Sequence, residues 1–147
     1  MNERAELSCD LVRELWAKTY NAEGRPDWSH LFPYYHPDIL FRDTIQEIRG
    51  IEEFQAMCGR LAARSKSLRM KVRSVVKEGN LIFLEWEMIL AFGKYPDSSV
   101  YGCTRLSLHD DGRIIEQRDY YDLWGDIFDN IPRFGPAYRR FMRRKFG

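Results

Sequence analysis

The side chains best able to move a proton lie near the end of the chain. In EQRDYYDLWGD, residues 116 to 126, Asp119 shares one side of an alternating segment with Gln117 and Tyr121, while Glu116, Arg118 and Asp122 take the other. A carboxylate alone on a mild face has few options. Burial raises its pKa, whereas a nearby arginine or several donors keep it ionised. Left unpaired, it is a general base or a neutral proton donor. The preceding strand, VYGCTRLSL, offers a partner. A two-residue Asp111-Gly112 turn would pair odd residues with even ones; the expected three-residue Asp110-Asp111-Gly112 loop, with Gly112 left-handed, pairs odd with odd, sets Cys103 opposite Asp119 and lets Arg105 approach it diagonally. Tyr101, Cys103 and Arg105 then share the face of Asp119, and Arg105 and Tyr121 stabilise negative charge there. The bland reading of the same residues is an Arg105 and Asp119 pair that fixes the sheet and binds nothing.

Asp43, in ILFRDT, reads from the sequence alone as a residue that ends a strand and caps the next loop. Glu85 and Glu87 in LIFLEWEMILAF oppose an apolar set, Ile82, Leu84, Trp86, Met88, Leu90 and Phe92, and stand beside the basic RMKVR. They read as solvent-facing, cross-strand charge pairs rather than a catalytic dyad. His30, His36 and His109 show no metal-ligand spacing, so no metal is expected. His36 in YYHPD reads as a loop hydrogen-bonder, with proton shuttling beside Tyr34 or Tyr35 as the sharper alternative. Cys9, Cys58 and Cys103 form no CxxC and no Cys/His cluster, which fits a reduced cytoplasmic chain.

The elements that position these groups follow from periodicity. Leu7, Leu11, Val12, Leu15, Trp16 and Thr19 form a helical stripe that Gly24 and Pro26 end. Asp27 caps a short helix, WSHLF, which Pro33 closes. YYHPD is a loop and ILFRDT a first strand. Gly50 precedes a helix over IEEFQAMCGRLAAR, and in LRMKVRSVV Leu68, Met70 and Val72 alternate with Arg69, Lys71 and Arg73. Helix, short helix, strand, helix and then four antiparallel strands make an α+β order, a curved sheet wrapped around helices.

Composition bounds the rest. The 147 residues suit one globular domain, 1–147, and 23 basic residues against 22 acidic ones give a net charge of +1 that argues for neither nucleic acid nor membrane. The N-terminus lacks a signal-peptide pattern, and no apolar run approaches the ~18 residues of a membrane span. The tail, 132–147, is locally basic. Phe134, Tyr138, Phe141 and Met142 form a stripe there, expected to dock across the mouth of the curved sheet or on a dimer partner while the arginines face solvent; the functional alternative is a helix for an anionic partner or a membrane surface.

HPDILFRDT, RGIEEF and DDGRIIEQRDYYDLW, in this order over residues 7 to 126, resemble the nuclear-transport-factor-2-like superfamily, which includes ketosteroid isomerase, limonene-epoxide hydrolase and SnoaL-like polyketide cyclases. The resemblance implies a cystatin-like α+β roll, a cone of mostly antiparallel sheet around N-terminal helices that encloses an apolar pocket in a homodimer. QRDYYD is similar to the hydrolase-like ending WRDYFD, which puts Asp119 and Tyr121 inside. Asp43 matches the base position of the isomerase-like enzymes. The resemblance also has gaps. Trp16 stands where the isomerase has its tyrosine, and Trp86 and Met88 stand where the hydrolase has Arg and Asp. The implied activity is therefore general: a cofactor-free isomerase, cyclase, dehydratase or hydrolase acting on a small apolar organic ligand, or a non-catalytic binding module of the same fold. The walls expected for its pocket are Trp16, Tyr20, Tyr35, Phe41, Phe54, Met57, Trp86, Met88, Tyr101 and Cys103.

Overall fold

Backbone hydrogen bonding follows the periodicities of the sequence closely, with three local departures that shape the site. The computed structural model describes residues 5–21, 26–65, 67–91 and 98–147. Helix α1 (Cys9–Asn21) begins after Ser8, whose Oγ accepts the Leu11 N–H at 3.1 Å, and buries Val12, Leu15, Trp16 and Thr19. Strand β1 (Tyr35–Arg42) leads to a short strand β2 (Glu47–Arg49) and helix α2 (Ile51–Arg64). Gly50 starts α2 at φ 86°, a backbone that a side chain would strain, and its N–H is fixed to Ile39 O at 2.8 Å. Strands β3 (Ser67–Glu78), β4 (Leu81–Ala91), β5 (Ser98–Leu108) and β6 (Ile114–Tyr121) follow, and helix α3 (Phe134–Phe146) ends the chain.

The six strands form one sheet in the order β2-β1-β6-β5-β4-β3, antiparallel except where β1 runs parallel to β6. This is the expected α+β roll: α1 packs along β3, where Arg13 donates to Val72 O at 2.9 Å and Lys77 to Leu7 O at 2.9 Å, and α2 lies against β1. Phe54 and Cys58 from α2, Ile39 and Phe41 from β1, and Ile82, Leu84 and Leu106 from β4 and β5 share one core.

The first departure is near the start of β1. YYHPD is partly strand, since β1 opens at Tyr35, and WSHLF is a turn running into one 3₁₀ turn (Phe32–Tyr34) rather than a helix. Pro37 lacks an N–H, and the β1–β6 register shifts between Tyr35 and Leu40 to accommodate it. The second is a bulge between Val72 and Ser74, which leaves Arg73 outside the ladder, so that it hydrogen-bonds Glu87 across the strands. Glu87 is therefore buried at its rim rather than solvent-facing, although the charge pairing is as expected. The third departure, at Ile115, matters most for the site. The proposed helix stop at Gly24 and Phe92 on β4 lie outside the described residues.

Candidate functional site

The β5–β6 hairpin has the expected loop but not the expected register. Gly112 sits at φ 82° and its N–H bonds His109 O at 2.9 Å, while His109 N bonds Arg113 O at 2.7 Å across Asp110-Asp111-Gly112. One residue later the ladder slips, for Leu108 faces Ile114 whereas Ser107 faces Glu116, leaving Ile115 as the extra residue of a bulge. Because side chains alternate with period two, a one-residue slip turns every β5 partner over. Thr104, not Cys103, lies opposite Asp119, and Arg105 lies opposite Arg118. Arg105 points to the outer face and hydrogen-bonds Glu116, so it forms no pair with Asp119. Tyr101 and Cys103 are corrected with it: neither lines the cavity, and Tyr101 is exposed.

The inner face encloses a cavity of about 380 Å³. The other eight expected wall residues line it: Trp16 and Tyr20 from α1, Tyr35 and Phe41 from β1, Phe54 and Met57 from α2, and Trp86 and Met88 from β4. Asp43, Asp119 and Tyr121 line it too. Asp119 sits within a relay of donors. Trp86 Nε1 donates to Thr104 Oγ1 at 2.9 Å, and Thr104 Oγ1 donates to Asp119 Oδ1 at 2.7 Å. Gln117 Nε2 reaches the same Oδ1 at 3.1 Å, while Tyr35 OH donates to Gln117 Oε1 at 2.5 Å and so fixes the amide. Both hydrogen bonds to the carboxylate end on Oδ1; among the described residues Oδ2 accepts none and no cation pairs with it.

Burial in this apolar setting raises the Asp119 carboxyl from its ordinary 3.8 to about 6. The bonds from Thr104 and Gln117 pull the other way, and the charge of Asp43 adds to the rise. The same burial raises the phenols of Tyr20, Tyr35 and Tyr121, which stay protonated as donors, and pushes the Cys58 thiol up to about 12. Tyr121 OH is 3.3 Å from Asp43 Oδ2, and Asp43 Oδ1 takes the N–H groups of Ile45 and Gln46, each at 2.8 Å. Asp43 thus caps the turn after β1 while also touching the cavity.

Thr104 and Gln117 are the functional residues that pattern reading missed. Gln117 was visible as a neighbour on the face of Asp119; Thr104 was hidden by the bulge. His30 is a satisfied core group, within 2.9 Å of both Thr19 Oγ1 and Leu15 O. His36 stands on β1 rather than in a loop, but it is the expected hydrogen-bonder, accepting the Asp38 N–H on Nδ1 at 3.1 Å. The fold also brings the His36 ring beside that of His109, centroids 4.7 Å apart and tilted by 38°, with Asp111 close by, a meeting that sequence spacing could not reveal. Asp111 is held by Arg113, and each Nδ1 faces a backbone N–H, so these groups are occupied with one another. At the end of the chain, a π-helical turn (Leu123–Ile127) adds Leu123 and Ile127 to the cavity wall. Tyr138 of α3 stacks on its Trp124, Phe134 lies tilted beside the same ring, and Arg139 bonds Asp129 at 2.7 Å, which docks the basic helix by its first half. No helix among the described residues is long and apolar enough to cross a membrane.

Comparison with known proteins comes to the same architecture. Residues 16–117 match the family model of the SnoaL-like domain. No curated protein matches at a significant level. Among solved structures, a protein with a ketosteroid isomerase-like fold from Catenulispora acidiphila, in complex with trimethylamine, superposes with a TM-score of 0.69 at 16% identity, over 84% of this chain and 93% of that one. An LEH-like epoxide hydrolase of M. tuberculosis gives 0.65 at 20% identity, over 90% and 97%. A protein assigned as a SnoaL-like polyketide cyclase from a Jannaschia species gives 0.61 at 23% identity, over 84% and 92%. At these identities the likeness is one of fold.

Proposed function

Since this chain belongs to the SnoaL-like domain family, we propose that it binds a small, largely apolar organic molecule in the cavity and moves a proton on it with Asp119, without a cofactor. One observation carries the reading. A partly buried carboxylate, with no cation beside it among the described residues and raised to about 6, faces a cavity whose walls are mostly aromatic and aliphatic. Near neutral pH such a group exchanges protons readily in both directions, as an acid–base catalyst requires.

The chemistry that suits it is proton transfer next to a carbonyl. Asp119 Oδ2 takes the proton, the C–H electron pair moves toward the carbonyl oxygen, and a phenol such as Tyr121 donates a hydrogen bond to the growing charge. Returning the proton to another carbon completes an isomerisation; attack of the enolate on a second carbonyl, with Asp119 passing its proton to the alkoxide that forms, completes an aldol cyclisation. Thr104 and Gln117 are positioning residues that orient the carboxylate, and Arg105 takes no part. Asp43 serves mainly as the cap of its turn, so Asp119 is the base. An expected homodimer belongs to the same proposal: Phe83, Tyr101 and Tyr120 are exposed on the outer face of the sheet, where a partner's sheet would cover them. Sedimentation of the purified chain at monomer mass would remove that part.

The test needs no prior substrate. Apolar cyclic ketones are incubated with the protein in D₂O and loss of α-proton signal is followed by NMR. Exchange that disappears in Asp119→Asn supports the reading. Ketones that bind but exchange no faster than in buffer would make the protein a carrier of the same fold.

A further inference from the structure

The cavity lining carries two carboxylates, Asp119 and Asp43, and two arginines. Helix α2 sends Arg60 and Arg64 to the lining on either side of Leu61. Four residues apart, they lie on one helix face, and both are exposed. None of the ion pairs among the described residues includes either arginine, and neither makes a side-chain hydrogen bond there. The acids of their own helix, Glu52 and Glu53, sit in its first turn, at the opposite end. Asp43, the other carboxylate of the lining besides Asp119, is held by Ile45, Gln46 and Tyr121 rather than by an arginine. Two guanidinium groups with no acidic partner among the described residues therefore stand where a mostly apolar cavity opens to water.

We propose that the cavity takes an amphiphilic carboxylate, its apolar body against Trp16, Phe54 and Trp86 and its acidic head on Arg60 and Arg64. The planar guanidinium matches a carboxylate with two parallel hydrogen bonds. Placing the head at the rim satisfies the charge without the cost of burying it, while the body displaces water from the apolar walls. The head also fixes how deep the body reaches, and so which carbon meets Asp119. This inference rests on the reading of the cavity as a ligand site, and the test separates the two.

Decanoate and decanol share a body and differ in the head. Each is titrated into the protein near neutral pH, where decanoate is ionised, and binding is followed by tryptophan fluorescence, since Trp16, Trp28 and Trp86 line the cavity. The expected result is decanoate binding about tenfold tighter than decanol at low salt, the scale of two rim ion pairs. That preference disappears in Arg60→Gln/Arg64→Gln while decanol affinity stays unchanged, which also reports an intact pocket. Raising the salt to about 0.5 M erodes the preference in the unmodified protein, an arm that requires no variant. Equal affinity for both ligands, or a salt-independent preference, overturns the proposal and leaves the pocket standing. Failure of both ligands to bind overturns the pocket reading itself.

Discussion

Replacing Asp119 with Asn should make the protein more stable while removing its proton-transfer group. The hydrogen bonds from Thr104 and Gln117 both end on Oδ1, which an asparagine retains, and its Nδ2 takes the place of Oδ2, which accepts no bond among the described residues. The substitution therefore deletes a charge with little change of shape. The folded state holds the Asp119 proton more tightly than the unfolded chain, about 6 against 3.8. Between those values the native state binds more protons, so stability falls as pH rises through the folded pKa and is fully present only below the unfolded one. At ~1.4 kcal/mol per pKa unit, the cost of keeping this carboxylate near pH 8 is about 3 kcal/mol. Urea unfolding followed by circular dichroism should thus find Asp119→Asn more stable by up to about 3 kcal/mol near pH 8, with the gap closing by about pH 4. A variant less stable than the parent near pH 8, or a gap indifferent to pH, would refute the reasoning and mark Asp119 as a stabilised anion.

Other perturbations separate the relay from the scaffold. Thr104→Val removes a donor to Asp119 and leaves the Trp86 indole N–H unpaired; it should cost about 1–3 kcal/mol in chemical denaturation and move the acid limb of any pH–rate profile above about 6. Gly102→Ala would place a Cβ 2.4 Å from the Trp86 ring and 2.8 Å from Tyr120 O, and the melting temperature should fall by the equivalent of about 1–3 kcal/mol. Arg105→Gln, on the outer face, should leave proton exchange within about twofold of the parent and change stability by no more than about 1 kcal/mol, as for a partly exposed ion pair. Cys58, its thiol pushed up to about 12, should resist iodoacetamide near pH 8 in the folded protein and react after unfolding.

Much of this was legible in the sequence, for reasons that can be stated residue by residue. Helix α2 announced itself through Phe54 and Cys58 at helical spacing after a glycine, and β3 and β4 through strict alternation, because one buried face imposes one period. The parity that put Asp119 and Tyr121 inside held, as it depends only on β6 itself. The partner of Asp119 was not legible. A single bulged residue, Ile115, reverses which β5 residues face inward, and no local pattern distinguishes a bulged Ile-Ile from a regular one. Strand β2 and the π-helical turn are too short to carry a period, and nothing in IEEFQAMCGRLAAR marks Arg60 and Arg64 as residues of a cavity rim.

The central claim is that Asp119 is a partly buried carboxyl, paired with no cation among the described residues and poised near neutrality. The most direct measurement is a pH titration of the protein with ¹³C-labelled aspartate carboxyls, read by NMR in parent and Asp119→Asn. The account predicts one carboxyl resonance in the parent with its midpoint at about 6, missing from the variant. If the resonance lost in the variant titrates at or below the ordinary 3.8, the carboxylate is held as an anion and the proposed proton transfer is wrong.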